Sequence, residues 1–289
     1  MNSPLNINLP FFAYGIFKPG ELGYLQLRDL VEDCKDRATI RGSIRIRDGL
    51  PIVDPDGTAG VTGIILRFRA GREEDAYERI ASLEPEQQYR WDVTSVDKQD
   101  VNYLAGKSPR KGSVPDDDEK EWCGKADRIF TTALEVVDET LTANRGFAWD
   151  LKPLFRIEMA YMLLWSAIER YCSFRYGLAG DPMNKIKRMA DDPAFAAALK
   201  EALKDQGEQG STPRDITVFR ADRPKDSCSL SPENPKKSIE YYYQIRCNAT
   251  HRGKAVVRDH ERLEKSLSEL LFIFRKVLAA AFAESEKPT

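Results

Sequence analysis

The sequence predicts an α+β protein of two unlike domains: a small curved β-sheet or barrel with helices, followed by an all-α helical bundle. Three observations point there. Short β-type runs separated by turn residues occupy Phe11 to Leu104, and long helically periodic segments take over from Leu151. Between them, Gly106 to Lys125 is polar and contains Pro, Gly and an acidic run, the composition of a connector. A chain of 289 residues has room for two cores of ordinary size, since single domains cluster at roughly 100–150 residues. The expected divisions are 1–107, a linker with a bridging helix over 108–148, and 149–289.

In the first domain the strand-like runs are FFAYGIF, ATIRGSIRIRDGLPIVDPDG, VTGIILRF, QYRWDVTSV and VNYLA. Helical spacing interrupts them over Tyr24–Val31 and Glu73–Leu83, the latter with Ala76, Ile80 and Leu83 on one stripe. Pro55-Asp56-Gly57 is turn chemistry, and Gly63 within VTGIILRF suggests a bulge or bend. The acidic run Asp116–Glu119 reads as solvated linker.

The bridging helix is expected over Ala126–Leu141, with Ile129, Ala133, Val136 and Val137 at helical spacing. LFRIEMAYMLLWSAIERYCSFRYG follows, a helix apolar nearly all round, which implies burial in a core or a subunit interface. Shorter helices are expected over Met183–Ala190 and Ala194–Lys204, with Asp192-Pro193 marking a start. Gly207 to Asn234 is loop-rich, with DITVFRA as a short strand. Two last helices cover Lys237–Arg252, closed by Gly253, and Asp259–Ala283, whose Leu263, Leu267, Leu270, Leu271, Phe274 and Leu278 form a stripe.

Composition removes several function classes. A hydrophobic share of 42% with 31% charged residues suits a packed chain, and a formal net charge of −2 argues against a dedicated duplex-DNA binder. The five cysteines are widely spaced without a C-x-x-C pair, so neither a disulfide framework nor a zinc knuckle is expected. With only His251 and His260 in the chain, acid–base chemistry in the first half falls to carboxylates, and no metal or other cofactor is expected. No basic segment followed by an apolar one opens the sequence, and no apolar run reaches the roughly 18 residues of a spanning helix. A cytoplasmic protein without membrane contact is the expectation.

Two clusters carry chemistry. In FFAYGIFKPGEL, Tyr14-Gly15 stands where an apolar strand exits into a turn, a place that presents consecutive backbone N–H groups to an anion. Glu84, in IASLEPEQQYRWDV, follows an apolar helix stripe and precedes a strand. By themselves these are an ordinary turn and a solvated helix-end charge. In this order, with VTGIILRF and VNYLAG, they resemble the γ-glutamylcyclotransferase-like superfamily over roughly residues 9–107. The resemblance implies that the loop amides at Tyr14, Gly15, Ile16 and Phe17 hold a glutamyl α-carboxylate and that Glu84 shuttles the proton as 5-oxoproline is released. Ile16-Phe17 and Pro85 depart from the family's usual small-plus-apolar pair and glycine.

The second cluster lies in SIEYYYQIRCNATHRGK. Arg246 and His251, five apart on a helix, rotate through about 500° and so project about 140° apart. An isolated pair of this kind reads as a surface charge and a dipole-complementing histidine. With the LLWSAIERY helix upstream and the Leu-rich helix downstream, the segment resembles the HEPN (higher eukaryote and prokaryote nucleotide-binding) family over roughly residues 150–283, whose mark is R-x-x-x-x-H. The resemblance implies metal-free RNA cleavage to a 2′,3′-cyclic phosphate by a homodimer joined through the helical domain. His251 would move protons and Arg246 would hold the phosphate. Asn248, Arg252 and Lys254 are candidate phosphate contacts, and Glu169 is a candidate partner of Arg246. Cys247 stands where many members carry Asn. Tyr241-Tyr242-Tyr243 suits base stacking or, more commonly, helix packing.

The leading expectation is a HEPN-type ribonuclease fused to a cyclotransferase-like domain, with RNA and a small γ-glutamyl-type ligand as partners, in a toxin–antitoxin or defence setting. The alternatives are a γ-glutamyl (amine) cyclotransferase dimerised by its helical half, and an inactive ligand-sensing or binding protein.

Overall fold

The structure is a computed structural model that describes residues 1–48, 50–116, 126–146, 150–177, 181–204, 217–221, 223, 225–252 and 257–286; the side chains of 126, 127, 182, 251, 252 and 257–259 are not among them. It is α+β, with a curled half-barrel sheet and helices. Two compact units divide it: Met1–Ile129 with Phe174–Ala179 and Phe282–Thr289, and Phe130–Ser173 with Gly180–Ala281. Among the described residues no helix is long and apolar enough to cross a membrane.

The first unit holds strands β1 (Phe11–Ala13), β2 (Val31–Arg41), β3 (Ser43–Arg47), β4 (Leu50–Asp54), β5 (Gly60–Phe68), β6 (Tyr89–Val96) and β7 (Gln99–Gly106), and helix α1 (Glu73–Leu83). The sheet runs β2-β5-β1-β7-β4-β3, with β6 added on β7. Short β1 therefore lies centrally, antiparallel to β5 and parallel to β7. The β6–β7 hairpin closes Val96 onto Gln99 through Asp97 and Lys98. Both take positive φ, 50° and 68°, the demand of a type I′ turn matched to strand twist.

One expected helix is corrected. Tyr24–Val31 does not form an α-helix: a 3₁₀ turn covers Leu22–Gln26, and Val31 already begins β2. This outer strand exposes most of its charged side chains and slips register between Lys35 and Ala38, with Arg37 at φ 57°. Charge and a bulge are how an edge strand avoids further pairing, and they also mask its β pattern. The irregularity suggested by Gly63 thus sits on the strand opposite. Gly63 itself makes room for β1: a Cβ there would meet the Ala13 carbonyl oxygen at 2.4 Å and the Phe12 ring at 2.6 Å.

The second unit holds most of α2 (Ala126–Asn144) and α3 (Leu151–Tyr176), then α4 (Pro182–Met189), α5 (Pro193–Lys204), the hairpin β8 (Thr217–Phe219) and β9 (Ser227–Ser229), α6 (Pro235–Arg252) and most of α7 (Val257–Ser285). Asp-Pro or Asn-Pro starts three of these helices. The carboxyl or amide oxygens of Asp181, Asp192 and Asn234 accept the N–H of Met183 (2.9 Å), Ala194 (2.8 Å) and Lys237 (3.1 Å). The predicted Leu263–Leu278 stripe is buried throughout, and Phe274 meets Tyr171 and Phe130 edge-on. Tyr241 and Tyr242 are core residues: the Tyr161 hydroxyl donates to the Tyr242 carbonyl (2.8 Å), and the Tyr242 hydroxyl donates to Glu269 Oε2 (2.9 Å).

The Gly63 contact yields the first prediction. Gly63→Ala lowers the stability measured by denaturant unfolding by about 2 kcal/mol through overpacking. Gly15→Ala, where nothing lies within 4 Å of the added carbon, leaves it nearly unchanged.

Candidate active sites

In the first unit, β1 ends at Ala13 and the chain turns at once. The Tyr14 hydroxyl donates to the Leu104 carbonyl of β7 at 2.8 Å, tying the turn to the neighbouring strand. Phe17 is buried edge-on to Phe11, so its side chain belongs to the core. The turn closes by Lys18 N–H donating to the Gly15 carbonyl at 3.2 Å. Among the described residues, the N–H groups of Gly15, Ile16 and Phe17 donate to no protein acceptor. Successive amides left without a protein acceptor are able to take an anion where they converge.

Glu84 caps the C-terminus of α1 in extended geometry, its own N–H donating to the Ile80 carbonyl at 3.2 Å. Leu83 beside it and Phe17 belong to one core cluster, against which Tyr14 and Ile16 also pack. Glu84 and the Tyr14–Phe17 turn thus flank the same core. The Glu84 side chain is half-buried, and among the described residues its carboxylate has no hydrogen-bond or ion-pair partner. Desolvation alone acts on it and pushes its pKa up to about 8.

In the second unit, Arg246 lies on the penultimate turns of α6. Its guanidinium pairs with Glu169 Oε1 of α3 at 3.5 Å, reaches the Tyr243 hydroxyl at 3.5 Å, and sits 5.4 Å from the Tyr243 ring centre. Tyr243 in turn packs edge-on against Trp165. Arg246 keeps partial access to solvent, and among the described residues its buried Nε has no hydrogen-bond partner. Asn248 is spent on structure: its Oδ1 accepts from Ala221 N–H (2.9 Å) and Gln244 Nε2 (2.9 Å), and its Nδ2 donates to the Phe219 carbonyl (2.8 Å). The side chains of His251 and Arg252, and Lys254 as a whole, lie outside the described residues.

No protein-family model matches the chain, and no curated protein or solved structure matches it significantly. The site chemistry therefore stands on the residues themselves.

Two contributors were not singled out from sequence. Tyr77 of α1 donates its hydroxyl to the Leu9 carbonyl and accepts from Asn102 Nδ2 of β7 at 2.9 Å, which locks the helix that delivers Glu84. Its spacing from Ile80 and Glu84 on one helix face was the available signal. Tyr243 was read only as part of an aromatic run, yet its hydroxyl and ring meet the Arg246 guanidinium. Among the described residues no group of three or more His, Cys, Asp or Glu is placed to hold a metal ion.

The Glu84 environment predicts a pH dependence of stability. Its folded-state pKa lies above the ordinary 4.5, so the native state binds the proton more tightly and stability declines as pH rises from about 4.5 towards 8. Glu84→Gln removes that decline. At pH 8 the variant is more stable than wild type by about 4 kcal/mol in urea unfolding, and below pH 4.5 the two are alike.

Proposed function

We propose that the first unit is an acid–base transferase centre that converts γ-glutamyl amines or peptides to 5-oxoproline. A half-buried carboxylate, unpartnered and with its pKa near 8, carries this reading. The substrate's α-carboxylate occupies the amides of Gly15, Ile16 and Phe17. Its α-amine then faces Glu84, which accepts a proton as the nitrogen attacks the γ-carbonyl carbon. The C–N bond to the leaving amine breaks, and Glu84 returns the proton to it. One group serves both steps because its affinity for the proton lies close to neutrality. Raising that affinity by burial, rather than by a neighbouring charge, leaves the carboxylate free to touch substrate.

The test is release of 5-oxoproline from γ-glutamyl substrates. Glu84→Gln lowers kcat by about 10²-fold or more. For wild type, kcat/KM rises with pH and levels off near 8, and this limb is absent from the variant. Undiminished turnover in Glu84→Gln overturns the assignment.

A second reading concerns RNA, and Arg246 favours it. A guanidinium held at one face by Glu169 and Tyr243, with an unsatisfied Nε and some solvent access, suits a phosphate better than a buried structural ion pair does. In this reading Arg246 binds the scissile phosphate, His251 moves the proton of the 2′-hydroxyl, and a second copy of the chain completes the cleft. The exposed Leu151, Phe155 and Met159 of α3 suit such pairing. Incubation with total RNA in chelator tests it. Cleavage falls by about 10²-fold or more in both Arg246→Ala and His251→Ala while 5-oxoproline release persists. Absence of both activities, with a ligand retained on the purified protein, leaves the binding-protein alternative.

A further inference from the structure

We propose that Cys228 and Cys247 form an oxidisable dithiol, a modification site for peroxide that neither candidate activity uses. Cys228 is the middle residue of β9 and stands directly opposite Val218 of β8. Side chains opposed across a ladder share a face, and Val218 is buried, so Cys228 also points inward from the hairpin, towards α6. Cys247 lies on α6 next to Asn248, whose carboxamide is bonded to the Phe219 carbonyl and the Ala221 N–H. Those bonds fix that turn of the helix against β8, and Phe219 pairs across the hairpin with Ser227, the neighbour of Cys228. Both cysteines line one cavity of about 820 Å³, together with Arg220, Tyr243, Gln244 and Asn248. Both are free and half-buried on the wall of that cavity, which a small oxidant can enter. Burial raises the Cys228 thiol above its ordinary value, and the nearby Glu240 adds to this.

The chemistry balances with hydrogen peroxide. One thiolate sulfur attacks a peroxide oxygen, the O–O bond breaks, and a sulfenic acid forms as water leaves. The second thiol attacks that sulfur, the S–S bond forms, and the S–O bond breaks with release of a second water. Two thiols are oxidised and one peroxide is reduced to two waters. The product ties β9 to the helical turn that follows Arg246.

The full-length protein is treated with hydrogen peroxide under native conditions, its remaining thiols are alkylated, and its peptides are mapped by mass spectrometry. The expected result is a Cys228–Cys247 linked peptide within one chain, two fewer alkylatable thiols, and full reversal by dithiothreitol. Cys228→Ser and Cys247→Ser each abolish the link. Phenylarsine oxide, which bridges neighbouring thiols, binds the reduced wild type and fails to bind either variant, a readout independent of oxidation. Recovery of the two cysteines on separate peptides, a link to Cys34 or Cys172, or a link between two chains overturns the proposal. None of these readouts depends on 5-oxoproline release or RNA cleavage.

Discussion

Tyr77 holds the first unit in register with itself. Its ring packs edge-on against Phe11, Phe68 and Trp91, and its hydroxyl bridges the chain entering β1 to Asn102 of β7. A buried hydroxyl without partners would cost about 1–3 kcal/mol, so these two bonds specify one seating of α1 on the sheet. Where α1 is seated decides where it ends, and it ends at Glu84. Tyr14, bonded to Leu104 of β7, sets the loop by the same strand. The strand β7 is thus the common reference for Glu84 and the Tyr14–Phe17 turn.

The two candidate sites treat charge in opposite ways. Glu84 is half-buried and, among the described residues, has no counter-charge, so burial appears as a raised proton affinity. The Arg246 guanidinium is compensated instead, by a carboxylate, a phenol and an aromatic face. The first arrangement suits a group that must change protonation during a reaction. The second suits a permanent cation awaiting an anion.

Much of this was legible in the sequence where local chemistry speaks directly. Asp192-Pro193 marked a helix start because a carboxylate cap and a proline that needs no N–H partner are both local devices. The Leu263–Leu278 stripe and the inner strands could be read for the same reason, since periodicity records which face is dry. The first half of β2, Val31 to Arg37, was not read as a strand, because an outer strand protects itself with charge and a bulge and so loses its alternation. β9 was not foreseen: a three-residue strand of Ser-Cys-Ser carries no pattern of its own and exists by pairing with β8.

The sequence by itself determined the class of the fold, the order of its elements and the residue types able to do chemistry: one carboxylate after an apolar stripe, one glycine turn after a strand, one arginine near a helix end. Those are properties of neighbours along the chain. Only the tertiary structure decided that, among the described residues, Glu84 and the amides of Gly15 to Phe17 meet no partner, that Asn248 is consumed by a hairpin, and that Cys228 faces the helix carrying Cys247. Desolvation and hydrogen-bond satisfaction depend on which distant groups arrive in the same place, and spacing along one segment carries no record of that.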